Sequence, residues 1–122
     1  MREPLSVNEA LDDLRDLEGN DVHIQGILHF EFEDVALYHH PVAERKEGYD
    51  SSIWIEVGMG SLGFNTETCT CLNGKLVSVH GTLFGPPQGF EGCGHMNLWP
   101  AAVLARTLER AGVDIDVTEV GQ

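Results

Sequence analysis

The chain is short of cations: seven Lys and Arg stand against twenty Asp and Glu, a formal charge of −13. A surface of this kind repels polyanions at long range, which disfavours recognition of DNA or RNA along a basic stripe. The shortage is sharpest in the middle of the sequence. Between Asp21 and Trp99 the only basic residues are Arg45, Lys46 and Lys75, against ten acids. Long apolar runs are missing too, and nothing approaches the roughly 20 residues that span a bilayer, so no membrane segment is expected. Met1-Arg2-Glu3-Pro4 leads into an acidic stretch rather than an apolar signal sequence, which sets the expectation of a cytoplasmic protein. Cysteine is scarce and odd in number (Cys69, Cys71 and Cys93), which argues against a disulfide framework and for reduced thiols.

What is present is a globular composition, 42% hydrophobic and 22% charged over 122 residues, enough for one core and one domain across residues 1–122. Ser6 followed by Glu9 has the spacing of a capping box, in which hydroxyl and carboxylate each satisfy a backbone N–H at a new helix start. Val7, Ala10, Leu11, Leu14 and Leu17 continue at helical spacing, and Gly19 suits a left-handed exit, so one amphipathic helix is predicted over 6–18.

From Val22 the period becomes two. Val22, Ile24, Leu28, Phe30 and Phe32 alternate with His23, Gln25, His29 and Glu31, which predicts a long strand with Gly26 on its inward face, where a bend or a close approach is expected. Val35 to Tyr38 reads as a hairpin partner and Ile53 to Val57 as a third strand, with a polar loop from His39 to Ser51 between them. Asn73-Gly74 is a tight-turn signal opening a fourth strand, Val77 to Leu83. Val22 to Leu28 and Val77 to Leu83 share the form V-x-(I/V)-x-G-x-L, which places a glycine at the same point of two strands and predicts a bend common to both. Residues 100–111 fit two assignments. Pro100, Ala101, Leu104, Leu108 and Gly112 suit a helix, which propensity slightly favours, whereas Val103, Ala105 and Thr107 alternate as a strand. Residues 113–122 alternate but are acidic, consistent with an edge strand or a tail.

This succession resembles the oligonucleotide/oligosaccharide-binding (OB) barrel. More narrowly, it is similar to a group of small uncharacterised bacterial proteins with an OB-like barrel. The matching segments are Val22 to Leu28, Glu31-Phe32-Glu33 with Ala36-Leu37-Tyr38, Ser52-Ile53-Trp54-Ile55, Leu72-Asn73-Gly74-Lys75, Val77 to Leu83 and Gly94-His95-Met96. The resemblance implies a mostly β fold (α+β by content), a five-stranded barrel over 21–109, and a fifth strand near Val103 to Leu108. It carries no activity and no catalytic residues.

Several constellations carry chemistry. Gly58-Met59-Gly60-Ser61-Leu62-Gly63 fits the dinucleotide glycine pattern but lacks the helix and the strand–helix–strand setting that make it work. Cys69, Cys71, Cys93 and His95 supply a Cys₃His set for zinc, although one residue between the first two ligands is tighter than usual. Cys93 with His95 also reads as a nucleophile and base. His23, His29, His39, His40 and His80, with Glu31, Glu33 and Asp34, are acid–base candidates of unfixed geometry. Among the aromatic residues Trp54 is out of phase with Ile53 and Ile55, which suits an exposed platform for a protein contact or an additional packed layer such as the N-terminal helix would form, while Phe30 and Phe32 belong inside.

The leading expectation is therefore a non-enzymatic module with no required cofactor. It binds a protein partner or self-associates through Trp54 and the loops His39 to Ser51 and Gly85 to Gly94, with Tyr49 and Phe90 as the loop contacts. An immunity or antitoxin-like protein, acidic against a basic partner, is a special case. A small zinc-binding protein is the second expectation. Single-stranded nucleic-acid binding, which the fold analogy offers, stands third against the charge.

Overall fold

The computed structural model describes residues 4–31, 34–40, 50–56, 66–94 and 98–111. Strand β1 (Leu5–Ser6) leads into helix α1 (Val7–Asp12) and helix α2 (Leu14–Leu17). There follow β2 (Asp21–Glu31), β3 (Asp34–Tyr38), β4 (Ser52–Glu56), α3 (Thr66–Leu72), β5 (Leu76–Phe84) and β6 (Ala102–Arg110). The architecture is mostly β, a six-stranded mixed sheet with three short helices among the described residues. None of those helices is long and apolar enough to cross a membrane.

The capping box forms as its spacing requires: Glu9 N–H donates to Ser6 Oγ at 3.1 Å, and Ser6 N–H donates to Glu9 Oε1 at 2.8 Å. The expected single helix is nevertheless two, broken at Asp13 (φ −103°, ψ 19°). The halves serve different strands, α1 lying on β1, β2 and β4 while α2 lies on β5. Gly19 takes the left-handed exit at φ 84°, and its N–H donates to Leu83 O at 2.7 Å, which ties the helical segment to the end of β5.

Strand β2 is long enough to serve two partners. Its first half, Asp21 to Ile27, pairs antiparallel with β5, and its second half, Ile27 to Glu31, pairs antiparallel with β3. The free edge beside Ile24 and Gln25 is taken by β1, a two-residue parallel partner too short to show in the sequence pattern. Beyond β3 the pairings run to β4, then in parallel to β6, and from β6 back to β5, so five strands form a closed circuit. Inside it Ile24, Leu28, Leu37, Ile53, Ile55, Val77, Val79, Leu83 and Val103 are all 0–1% exposed. Side chains of this size each contribute about 1.5–3 kcal/mol on full burial, so this interior is the main stabilising term.

Residues 100–111 form the strand rather than the helix. In a helix their apolar residues would find one neighbour; as β6 the backbone bonds to β4 and β5 at once, and Val103 and Ala105 are fully buried. Tertiary pairing overrides propensity here. A register shift opposite His80 and Gly81 leaves Arg106 as an extra residue, a β-bulge that turns both Arg106 and Thr107 outward and returns Leu108 to the core side. Asn73-Gly74 is not a hairpin turn but the end of α3. Gly74 has φ 83°, its N–H donates to Leu28 O at 2.8 Å, and Asn73 Oδ1 accepts from Phe30 N–H at 2.9 Å. Residues 113–122, Phe32 and Val57 lie outside the described residues.

Candidate functional site

Two stretches of the outer wall differ in what covers them. On β3, β4 and β6 the outward side chains Ala36, Tyr38, Trp54 and Ala102 are roofed by Cys93 and Trp99, forming a second, smaller apolar cluster. Cys93 and Trp99 exchange two backbone hydrogen bonds, at 2.7 and 3.1 Å, so the roof is itself a short antiparallel bridge. The Trp54 and Trp99 rings lie 4.7 Å apart and tilted by 51°. Gly94, at φ 76°, approaches so closely that a Cβ there would sit 2.5 Å from the Trp54 ring. Trp54 is therefore half-buried in a second packed layer rather than an open platform, and the layer is formed by Cys93, Gly94 and Trp99 rather than by the N-terminal helix. Its Nε1–H donates to Glu56 Oε1 at 2.9 Å.

Next to this roof lies an open cleft of about 350 Å³. Its floor is the outer face of β6 at Ala102 and Leu104, its near walls are Glu56 of β4 and Phe84 of β5, and its far wall is the segment from Gly85 to Gly94. That segment is fixed at its start, where Gly85 N–H donates to Glu18 Oε2 at 3.2 Å, and turns at Pro87, whose carbonyl accepts from Phe90 N–H at 2.9 Å. Phe84 and Phe90 remain 39% and 55% exposed. Large apolar rings at such exposure beside a concavity are what an interaction site requires. Glu56 is the only charged side chain lining the cleft among the described residues. Cys93, at the base, has its thiol pushed up to about 11, first by burial and then by the negative charges of Glu56 and Glu18. It is thus fully protonated at neutral pH, the reverse of what nucleophilic catalysis needs.

The remaining candidates are dispersed. Cys69 is buried in the main core and its thiol is likewise pushed up by burial, Cys71 is exposed, and Cys93 belongs to the second cluster. The described part of the Cys₃His set is not assembled, and no group of three or more metal-binding side chains occurs among the described residues. His95, Tyr49, Glu33 and the glycine segment 58–63 lie outside those residues. His29 does meet carboxylates, with Nε2 at 3.3 Å from Glu31 and 3.4 Å from Asp34, and Asp34 also accepts from the Tyr38 hydroxyl at 3.0 Å. His23 and His80 stack at 4.0 Å across β2 and β5. His39 Nδ1 accepts from Asn8 N–H at 3.3 Å, and the His39 and His40 rings meet edge-on at 4.7 Å.

Of the cleft residues the sequence pattern singles out Phe90 as a partner contact, and Cys93 for metal binding or nucleophilic chemistry. Phe84 was also legible, since Ser78, His80 and Thr82 alternate outward and Phe84 continues that phase with an apolar ring. No family model and no curated protein matches the chain.

Proposed function

We propose that this chain is a non-enzymatic, cytoplasmic protein-binding module on an OB-like five-stranded barrel, and that it engages a basic partner protein through the cleft beside Phe84 and Phe90. The barrel reading is supported by the closed circuit of β2, β3, β4, β6 and β5, with one parallel pair and a helix before β5. OB barrels take oligonucleotides on the face of their second and third strands. In this circuit the corresponding outer face, on β3 and β4, is filled by Trp99 and Cys93, so the covered wall and the charge of −13 both speak against that function.

The observation that carries the proposal is an apolar cleft with two exposed phenylalanines in which, among the described residues, the one charged side chain is a carboxylate. An acidic surface accelerates encounter with a basic protein, and buried aromatic contacts then hold it, the division of labour found in immunity and antitoxin pairs. The test is capture from native lysate at low and high salt with the wild type and with Phe84→Ser/Phe90→Ser. A basic protein retained by the wild type, lost at high salt and lost with the double variant supports the reading. Equal retention by the double variant, checked for folding by circular dichroism, defeats it.

A further inference from the structure

We infer that the cleft receives an arginine side chain of the partner, its methylene stem lying on Leu104 and Phe90 and its guanidinium meeting the Glu56 carboxylate. This inference rests on the binding reading above and narrows it to a chemical group. A cleft of about 350 Å³ is at the small end for ligand sites, suited to one or two side chains. Its wall is divided. Leu104, Ala102, Phe84 and Phe90 offer apolar surface, and among the described residues Glu56 alone offers charge. A purely aliphatic occupant would take water from that carboxylate and bring no counter-charge, leaving only the Trp54 indole N–H on one oxygen, whereas a compact ammonium would surrender more hydration than a guanidinium does. Arginine also favours aromatic faces, and two exposed phenyl rings border the same space.

Glu56 is held for this role. Trp54 Nε1–H fixes one carboxylate oxygen at 2.9 Å, and Trp54 is itself clamped between Trp99 and Gly94, so the acid enters the pair with its rotamer already chosen. Preorganisation of this kind lowers the entropy cost of binding. Trp54 is in this sense a positioning residue, acting through Glu56. The field at the cleft base agrees in sign. Beside burial, which acts first, Glu56 and Glu18 both help to hold the Cys93 thiol protonated, and no described cation lines the cleft; Arg106, further along the outer face of β6, is paired to Asp21 at 3.1 Å and donates to Thr82 Oγ1 at 3.2 Å.

The experiment is a two-dimensional ¹H–¹⁵N titration at low salt with three capped tripeptides, acetyl-Ala-X-Ala-amide, where X is arginine, lysine or the neutral isostere citrulline. The arginine peptide is expected to shift the amides of Phe90, Gly92 and Leu104 and the Trp54 indole N–H in a saturable way. Citrulline should bind about tenfold more weakly and lysine about threefold more weakly. Glu56→Gln should abolish the preference for arginine over citrulline. Trp54→Phe should weaken arginine binding about threefold while the ring packing and spectral dispersion persist. Equal affinity for arginine and citrulline overturns the inference, as does a preference that survives Glu56→Gln or the lack of any saturable shift at the cleft. If one of these occurs while the lysate partner still depends on Phe84 and Phe90, only the arginine assignment falls; if that dependence is missing too, the binding reading falls with it.

Discussion

Val22 to Leu28 and Val77 to Leu83 carry one motif, yet their glycines meet different obstacles. The two segments are antiparallel neighbours, Ile24 opposite Val79, so that Gly26 faces Val77 and Gly81 faces Val22 in a local two-fold arrangement. The repeated form thus sets the two glycines at symmetric points of one strand pair. At Gly26 an added Cβ would meet a Val7 side-chain methyl at 2.8 Å, then Leu37 Cβ and Tyr38 O at 3.2 Å. At Gly81 the first obstacle is the Leu104 carbonyl, backbone of β6 beside its bulge. A methyl at the tip of a side chain can move aside; a carbonyl fixed in a strand cannot without breaking the ladder. Identical local sequence therefore encodes unequal constraint.

The comparison is sharpest under alanine substitution. Gly81→Ala should have the largest effect, destabilising the protein by about 3 kcal/mol in urea unfolding, and shortening Leu104 with Leu104→Ala should not rescue it. A loss below about 1 kcal/mol would show that β6 yields after all. Gly26→Ala should cost less, about 1–2 kcal/mol. Combined with Val7→Ala, its cost should be smaller than the sum of the two single losses, because the second change removes the nearest obstacle. Strict additivity would break the distinction between the glycines.

Asn73→Ala tests the far half of β2, which lacks the β5 partner. Losing the acceptor for Phe30 N–H should cost about 1 kcal/mol. The smallest effect concerns the outward pair His23 and His80. Burial, then the neighbouring His80, lowers the His23 pKa below its ordinary 6.5, with Glu109 opposing. Between the lowered value and 6.5 the unfolded chain binds more protons than the folded one, so stability is full above 6.5 and falls as the pH drops through that window. Thermal melts of wild type and His23→Gln from pH 7 to pH 5 should show a shallower decline in the variant, and parallel declines would remove His23 from the account.

Much of the fold was legible because its signals are local. The capping hydroxyl of Ser6, the left-handed Gly19 and the alternation through β2 and β5 each act within a few residues. What escaped depends on distant partners. The break at Asp13 follows from two helical segments facing different strands. In β6 the bulge at Arg106 interrupts the period of two that identifies a strand, and leaves an apolar spacing that also suits a helix. At the site, Phe90 stood out within a breaker-rich loop and Phe84 was readable from its outward phase. The charge of Glu56 toward the same cleft emerges only when β4 and β6 lie side by side. The second layer over Trp54 was readable from its phase, but not what forms it, because the covering segment comes some forty residues later.

The double pairing of β2 also sets the order in which the chain can fold. Its hairpin with β3 needs only nearby residues, whereas its other edge waits for Leu76 to Phe84, and the circuit closes only when Ala102 to Arg110 can insert between β4 and β5. Synthesis proceeds at about 5–20 residues per second, so a nascent chain carries the open half of β2 for several seconds. The fully formed wall has no such edge there. Pairing with Leu76 to Phe84 removes the edge that half of β2 would otherwise present, so a chain whose β5 is not in place is more open to edge-to-edge association than the finished molecule.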